Sequence, residues 1–216
     1  MSKRGLLIVI SGPSGAGKGT LCEKLREKNP GIKISVSVTT RPPRNGEVHG
    51  INYFFITKEE FYRLRDEDKL LEWAEVYGNF YGTLKEHVEE VLKRGEDIIL
   101  EIDIQGALKI KEKCPEGVFI FIIPPTMEEL KRRIKKRATE TEEEILKRFQ
   151  GAFRELNFVT RYNYIVINDQ VDEAVKKLEA IIMAEKCRVD RNRELYLNLL
   201  KEGSSGAIST APGIDG

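Results

Sequence analysis

The stretch Leu6-Leu7-Ile8-Val9-Ile10-Ser11-Gly12-Pro13-Ser14-Gly15-Ala16-Gly17-Lys18-Gly19-Thr20 decides the fold. It opens on an unbroken apolar run, Leu6 to Ile10, the pattern of a strand buried on both faces. Gly12 to Lys18 then satisfies the phosphate-loop spacing G-x-x-x-x-G-K between a strand and a helix. Glycines let the backbone curl until several N–H groups point inward at a polyphosphate, and the helix N-terminus adds positive potential. Lys18 is placed to reach the β- and γ-phosphates of a nucleoside triphosphate. Gly12, Pro13, Ser14, Gly15, Ala16, Gly17, Lys18, Gly19 and Thr20 are therefore the candidate triphosphate cradle. The pattern asks for Ser or Thr after the lysine, to bind Mg²⁺ directly, but Gly19 stands there and Thr20 follows. No direct protein ligand for Mg²⁺ is expected. The ion would be held by the phosphates and by waters, near Glu101 and Asp103.

Outward from this loop the chain alternates strand and helix, which predicts a parallel sheet with helices on both faces. A helix is expected from Lys18 to Glu27, ended by Asn29-Pro30-Gly31. Further core strands are expected at Asp97–Ile102, Val118–Ile123 and Tyr164–Ile167. Helices are expected near Leu84–Lys93, Ile104–Lys113, Met127–Arg137, Glu142–Asn157 and Asp172–Cys187. Residues 34–83 break the alternation with strand-like pieces (Ile34–Val38, Tyr53–Ile56) and little long helix, so they form a small mixed insertion. Residues 126–157 are helical and rich in charge, with Arg132, Arg133, Arg137, Arg148 and Arg154, and suit a lid. The core is then 1–33, 84–125 and 158–202, and the aperiodic tail 203–216 is expected to be disordered.

Lys and Arg number 36 against 35 Asp and Glu, so a net charge of +1 excludes non-specific nucleic-acid binding by field alone. No apolar run is long enough to span a membrane. Met1 to Arg4 leads straight into a strand and leaves no room for a signal peptide. Cys22, Cys114 and Cys187 lack metal-site spacing and read as reduced thiols, so the expected location is cytoplasmic.

A second anion needs its own clamp. Thr39-Thr40-Arg41-Pro42-Pro43-Arg44-Asn45-Gly46-Glu47-Val48-His49-Gly50-Ile51-Asn52-Tyr53-Phe54-Phe55 presents Arg41 and Arg44 around two stiffening prolines. Two loop arginines alone are more often a solvated surface. This stretch, however, resembles the signature of guanylate kinases at Thr39-Thr40-Arg41, Arg44, Glu47, Gly50, Tyr53 and Phe55. The resemblance covers residues 5 to about 200, through Leu71-Glu72-Trp73-Ala74-Glu75-Val76, Gly78-Asn79-Phe80-Tyr81-Gly82-Thr83, Glu101-Ile102-Asp103-Ile104-Gln105-Gly106, Arg137-Ala138-Thr139-Glu140-Thr141 and Ile167-Asn168-Asp169.

The resemblance implies an α/β fold: a P-loop three-layer sandwich with a parallel core sheet, an inserted mixed GMP-binding subdomain and a helical lid. It implies ATP-dependent phosphorylation of GMP and dGMP in purine nucleotide metabolism, with Mg²⁺. Arg41, Arg44, Tyr53 and Tyr81 would hold the GMP phosphate. Ser37, Glu72 and Thr83 would read guanine, with Asp103 nearby. Lys18, Arg41, Arg44, Arg137 and Arg148 would act on the transferring group, and Asn168 would border adenine. Departures are Thr83 where many relatives have Ser and Glu101 where many have Asp. The chemistry agrees: guanine presents N1–H and N2–H donors to one carboxylate, and its O6 accepts from a hydroxyl, a pattern that adenine lacks. His49 and His87 read as turn and helix-surface residues, Arg132 as a solvated one, and Trp73, Phe54 and Phe55 as packing. Two rivals stand beside this reading. One is another nucleoside monophosphate kinase. The other is a catalytically silent peptide-binding relative, which the complete phosphate loop disfavours. A homo-oligomer is left open.

Overall fold

The computed structural model describes residues 4–76, 78–136 and 142–206. The expected lid arginine Arg137 and the stretch 138–141 lie outside them. Two compact units, Met1–Leu178 and Glu179–Gly216, divide the chain. Among the described residues the strands are β1 (Leu7–Ser11), β2 (Lys33–Ile34), β3 (Val38–Thr39), β4 (Phe54–Phe55), β5 (Leu70–Val76), β6 (Asn79–Leu84), β7 (Ile98–Glu101), β8 (Val118–Ile123) and β9 (Tyr164–Ile167). The helices are α1 (Lys18–Lys28), α2 (Lys58–Asp66), α3 (Lys85–Lys93), α4 (Ile104–Lys113), α5 (Met127–Lys136), α6 (Glu142–Glu155), α7 (Val171–Lys186) and α8 (Arg193–Gly206).

Five parallel strands form the core sheet in the order β2-β7-β1-β8-β9. β1 is central, with Val9 opposite Leu100 on one side and Phe119 on the other. All its residues are buried, as its apolar run requires. Leu7, Val9, Ile98, Leu100 and Phe119 pack on one face with Val88, Val91 and Leu92 of α3 and Ala107 and Ile110 of α4. Each of these side chains other than Ala107 contributes about 1.5–3 kcal/mol when fully buried. The alternate residues Ile8, Ile10, Ile99, Ile120 and Ile122 are buried as well, so both faces of the sheet are covered. The phosphate loop leaves β1 between the carboxyl ends of β7 and β8, where open α/β sheets bind ligands.

A second, mixed sheet, β4-β3-β6-β5, builds the insertion. Sequence patterning predicted one strand over Ile34–Val38. The chain instead pairs with the core sheet as β2, changes sheets within three residues, and pairs again as β3. The Ser35 N–H still donates to Ile99 O in the core, while Ser37 O accepts the Phe54 N–H in the second sheet. The second sheet has its own core of Val38, Phe61 and Leu70 under Phe54, Trp73 and Phe80. Phe61 comes from α2, a helix not anticipated by the apolar pattern. Thr57 and Glu60 close a reciprocal capping box at its start.

The lid helices α5 and α6 have a small core of Leu130, Ile134 and Ala152. In the second unit, Arg191 pairs with the buried Glu185 at 2.9 Å, and Asn192 Nδ2 donates to Lys186 O and Arg188 O. Composition predicted disorder from 203, yet α8 continues to Gly206, with Ser204 Oγ donating to Leu200 O one turn back. Residues 207–216 lie outside the described ones. Among the described residues no helix is long and apolar enough to cross a membrane.

Candidate active site

The phosphate loop is held open by backbone that only glycine adopts cheaply. Gly12 has φ 142°, and a Cβ there would lie 2.2 Å from Ile122 O of β8. Gly17 has φ 88°, with Asn168 Nδ2 only 2.4 Å from where a Cβ would stand. Asn168 in turn donates from Nδ2 to Ala16 O at 2.8 Å, so the residue expected beside adenine also ties the loop to the end of β9. Lys18 opens α1, and its ammonium donates to Gly12 O at 2.6 Å and Pro13 O at 3.2 Å. Burial lowers its pKa, and Glu101, Glu155 and Asp103 pull in the opposite direction.

The lid reaches this loop directly. Arg148 Nη2 of α6 donates to Ser14 Oγ at 3.1 Å, and Glu155, two turns further along, accepts the Ser14 N–H at 3.2 Å. Leu130 and Ile134 of α5 lie against Gly15.

Across the cleft stands the insertion. The Arg41 guanidinium makes a two-pronged ion pair with Glu47, at 2.9 and 3.0 Å, and lies 5.6 Å from the Tyr53 ring centroid and 5.8 Å from that of Phe55. Glu47 also accepts the Arg44 N–H at 2.7 Å. Burial works against ionisation of Glu47, yet these bonds hold its carboxyl below the ordinary glutamate value. Tyr53 meets Tyr81 edge to face at 6.0 Å, and burial drives its phenol up to about 12, so it stays a neutral donor. Deeper in, Glu72 on β5 is 4% exposed and accepts from Thr83 Oγ1 of β6 at 2.7 Å. Burial, only partly offset by that bond, lifts the Glu72 carboxyl to about 7. Asp103 ends the β7 segment and caps α4, accepting from the Gln105 and Gly106 N–H groups.

One cleft of about 480 Å³ joins these pieces: Gly12, Ser14 and Lys18 from the loop, Ser37, Arg41, Arg44, Tyr53, Glu72 and Tyr81 from the insertion, Glu101 and Asp103 from the core, and Arg148 from the lid. Thr83 is fully buried behind Glu72, and Asn168 lies under the loop outside that cleft. A family model described as guanylate kinase matches residues 4–185.

The chain belongs to the guanylate kinase family.

A guanylate kinase from Caldanaerobacter subterraneus subsp. tengcongensis is 65% identical over 202 residues, covering 94% of this chain and 98% of the relative. One from Clostridium perfringens is 63% identical over 196 residues, covering 91% of each chain. The crystal structure of guanylate kinase from Anaplasma phagocytophilum superposes with a TM-score of 0.75 at 37% identity, covering 88% of this chain and 91% of that one.

In this member of the guanylate kinase family, sequence reasoning left three site residues without a role. Arg133 stands in the sequence only as one of the lid arginines, but its guanidinium is largely covered. It donates to Asn168 O at 3.0 Å and to Glu129 at 2.6 Å, bracing the loop from below. Arg132, one position earlier, remains exposed beside Glu129. Glu155 had no signal beyond its spacing of seven from Arg148, which puts both on one face of α6. Glu47 was visible as a signature residue, and its partner Arg41 follows only from the folded loop. Phe55, expected in the packing of the insertion, instead supports that same guanidinium. Glu47→Gln is expected to raise KM for GMP about tenfold with KM for ATP unchanged, because Arg41 loses its orienting carboxylate. Initial-rate kinetics with each substrate varied in turn check this; equal shifts in both constants count against it.

Proposed function

We propose that this chain transfers the γ-phosphoryl group of MgATP to GMP, and also to dGMP, giving ADP and GDP or dGDP in the cytoplasm. The observation that carries the reading is Glu72, buried and backed by Thr83, lining the same cleft as Lys18. A desolvated carboxylate wants two donors, and guanine brings N1–H and N2–H together. Ser37, 7% exposed, supplies a hydroxyl for O6. Adenine would leave the carboxylate unpaired, which makes rejection strong.

The nucleophile is a phosphate oxygen of GMP, largely dianionic because its second pKa is about 6. It attacks the γ-phosphorus, a new P–O bond forms, and the bond to the β–γ bridging oxygen breaks with its electrons leaving on ADP. No general base is needed. Arg41, Arg44 and Tyr81 orient the acceptor phosphate, while Lys18 and Arg148 neutralise charge on the transferring group, with Arg137 assigned the same task. Convergence of insertion and lid keeps water from competing.

Mg²⁺ fits the residues present. Gly19 offers no hydroxyl at the usual ligand position, so the cation would arrive with ATP. A Cβ at Gly19 would stand 3.5 and 3.6 Å from the two Glu101 oxygens, which leaves a carboxylate-lined space where the usual hydroxyl would be. Glu101 and Asp103 would hold waters of the ion, whose charge offsets that of the phosphates. Gly19→Ser is expected to keep kcat within about tenfold while lowering the Mg²⁺ half-saturation point. A Mg²⁺ titration at fixed ATP, run beside Thr20→Val, tests this. If Thr20→Val raises the half-point and Gly19→Ser leaves it unmoved, Thr20 is the ligand.

The whole reading is tested by a coupled ADP-release assay with GMP, dGMP, AMP, UMP and dTMP offered in turn. GMP giving no more ADP than a reaction without acceptor would end it.

A further inference from the structure

Glu72 has a second neighbour besides Thr83. On its other side runs the first turn of α4, and the residue facing it there is Gly106. A Cβ at Gly106 would fall 2.5 Å from Glu72 Oε2 and 3.0 Å from Glu72 Cδ, and the three nearest atoms all belong to Glu72. The carboxylate thus rests directly on bare helix backbone.

Neither the helix nor the strand that carries Glu72 has room to retreat. Lys109 and Lys113 share the Gly106 face of α4, three and seven residues on. Their ammonium groups donate to Trp73 O at 2.5 Å and Leu71 O at 2.6 Å, the β5 carbonyls on either side of Glu72. Asp103 Oδ1 accepts the Gly106 N–H at 3.1 Å, which fixes the start of the helix. The helix is clipped to the strand around the carboxylate, and the Glu72 side chain, pinned at Oε1 by Thr83, fills the space between them.

We propose that Gly106 is a specificity-positioning residue, the bare backing against which the Glu72 carboxylate stands so that it can accept from guanine. The inference rests on the reading of Glu72 as the guanine acceptor. Alanine is the better helix former, so glycine here is explained by the space it leaves. The three atoms nearest a methyl group at 106 all lie at the far end of one side chain, so the fold accommodates it by turning that end. The accommodation rotates the carboxylate away from Thr83 and out of register with the base. GMP, which offers both N1–H and N2–H, loses most by this. IMP has no 2-amino group and loses less.

The experiment compares kcat/KM for GMP and IMP in wild type, Gly106→Ala, Glu72→Ala and the double variant, with KM for ATP and the thermal midpoint as controls. Gly106→Ala is expected to lower kcat/KM for GMP about 10- to 100-fold and that for IMP less than about fivefold, with KM for ATP within about twofold. In the Glu72→Ala background the same substitution is expected to cost nothing further, since the side chain nearest to the added methyl has gone. GMP kinetics within about twofold of wild type, an equal loss in both backgrounds, or failure of Gly106→Ala to fold would each overturn the proposal. If Glu72→Ala leaves the GMP-to-IMP ratio unchanged, the guanine reading itself fails, whatever Gly106→Ala does.

Discussion

Lys18→Ala is expected to lower kcat about 10³-fold while leaving the fold in place. The ammonium sits at the mouth of the loop, where it donates to Gly12 O and Pro13 O. Those carbonyls belong to the turn that the triphosphate enters, so the same donor can swing onto phosphate oxygens without rebuilding the loop. Its competitors are carboxylates: Glu101, Glu155 and Asp103 all act on its charge. Removing the lysine leaves these three carboxylates less well offset beside a polyanion, and turnover suffers more than nucleotide affinity, because charge on the transferring group peaks in the transition state. Little packing is lost, since the loop geometry depends on Gly12, Gly17 and the Asn168–Ala16 bond. Single-turnover kinetics with GMP, read beside circular dichroism and ATP titration, check this. A variant keeping more than about a tenth of wild-type kcat shows that Lys18 does not reach the transferring phosphoryl group.

Glu72→Gln is expected to lower kcat/KM for GMP about 10²-fold or more, with the small activity on AMP nearly unchanged. The amide removes the charge and turns a donor toward guanine donors, while Thr83 Oγ1 keeps an acceptor. Equal losses on both substrates would mark a structural role instead. The same residue sets a pH dependence. Burial, against the Thr83 bond, lifts its carboxyl to about 7, above the ordinary glutamate value. A carboxyl raised in this way contributes stability that is fully present below its unfolded pKa and is lost as pH rises through about 7. Guanine works in the opposite direction, because its two donors stabilise the carboxylate. Affinity for GMP should therefore fall as pH drops below about 7, with a further fall near the second phosphate pKa of about 6. In Glu72→Gln the upper step should vanish and the lower one remain. An unchanged upper step would assign it to another group.

The local chemistry of the site was legible in the chain because it is written in short spacings. A buried apolar run followed by G-x-x-x-x-G-K already specified β1, the loop and a helix starting at Lys18, and α1 begins there. Asp103, read from the sequence as a neighbour of the ligands, also caps α4. The helix over 104–113 falls on the expected residues, since its apolar period is undisturbed. The capping box of α2 was also present in Thr57-Lys58-Glu59-Glu60, but its apolar residues are too few to announce a helix. Arg41 and Arg44 stood out by composition, although two loop arginines acquired meaning only from the signature around them.

What patterning left undecided lies wherever distant segments meet. Alternation cannot reveal that Ser35 pairs in one sheet and Ser37 in another, because both sheets satisfy the same period of two. Charge density alone cannot separate Arg133, docked beneath the phosphate loop, from Arg132 in solvent, because the difference is a helix rotation relative to Asn168. Gly106 is a single glycine in the sequence and a missing methyl against Glu72 in the fold. Spacing along the chain determined which groups could bind phosphate and guanine. Packing of α4 on β5 and of the lid on the loop decided which of them stand within hydrogen-bond reach, because that reach of about 3 Å depends on contacts between residues up to 141 positions apart.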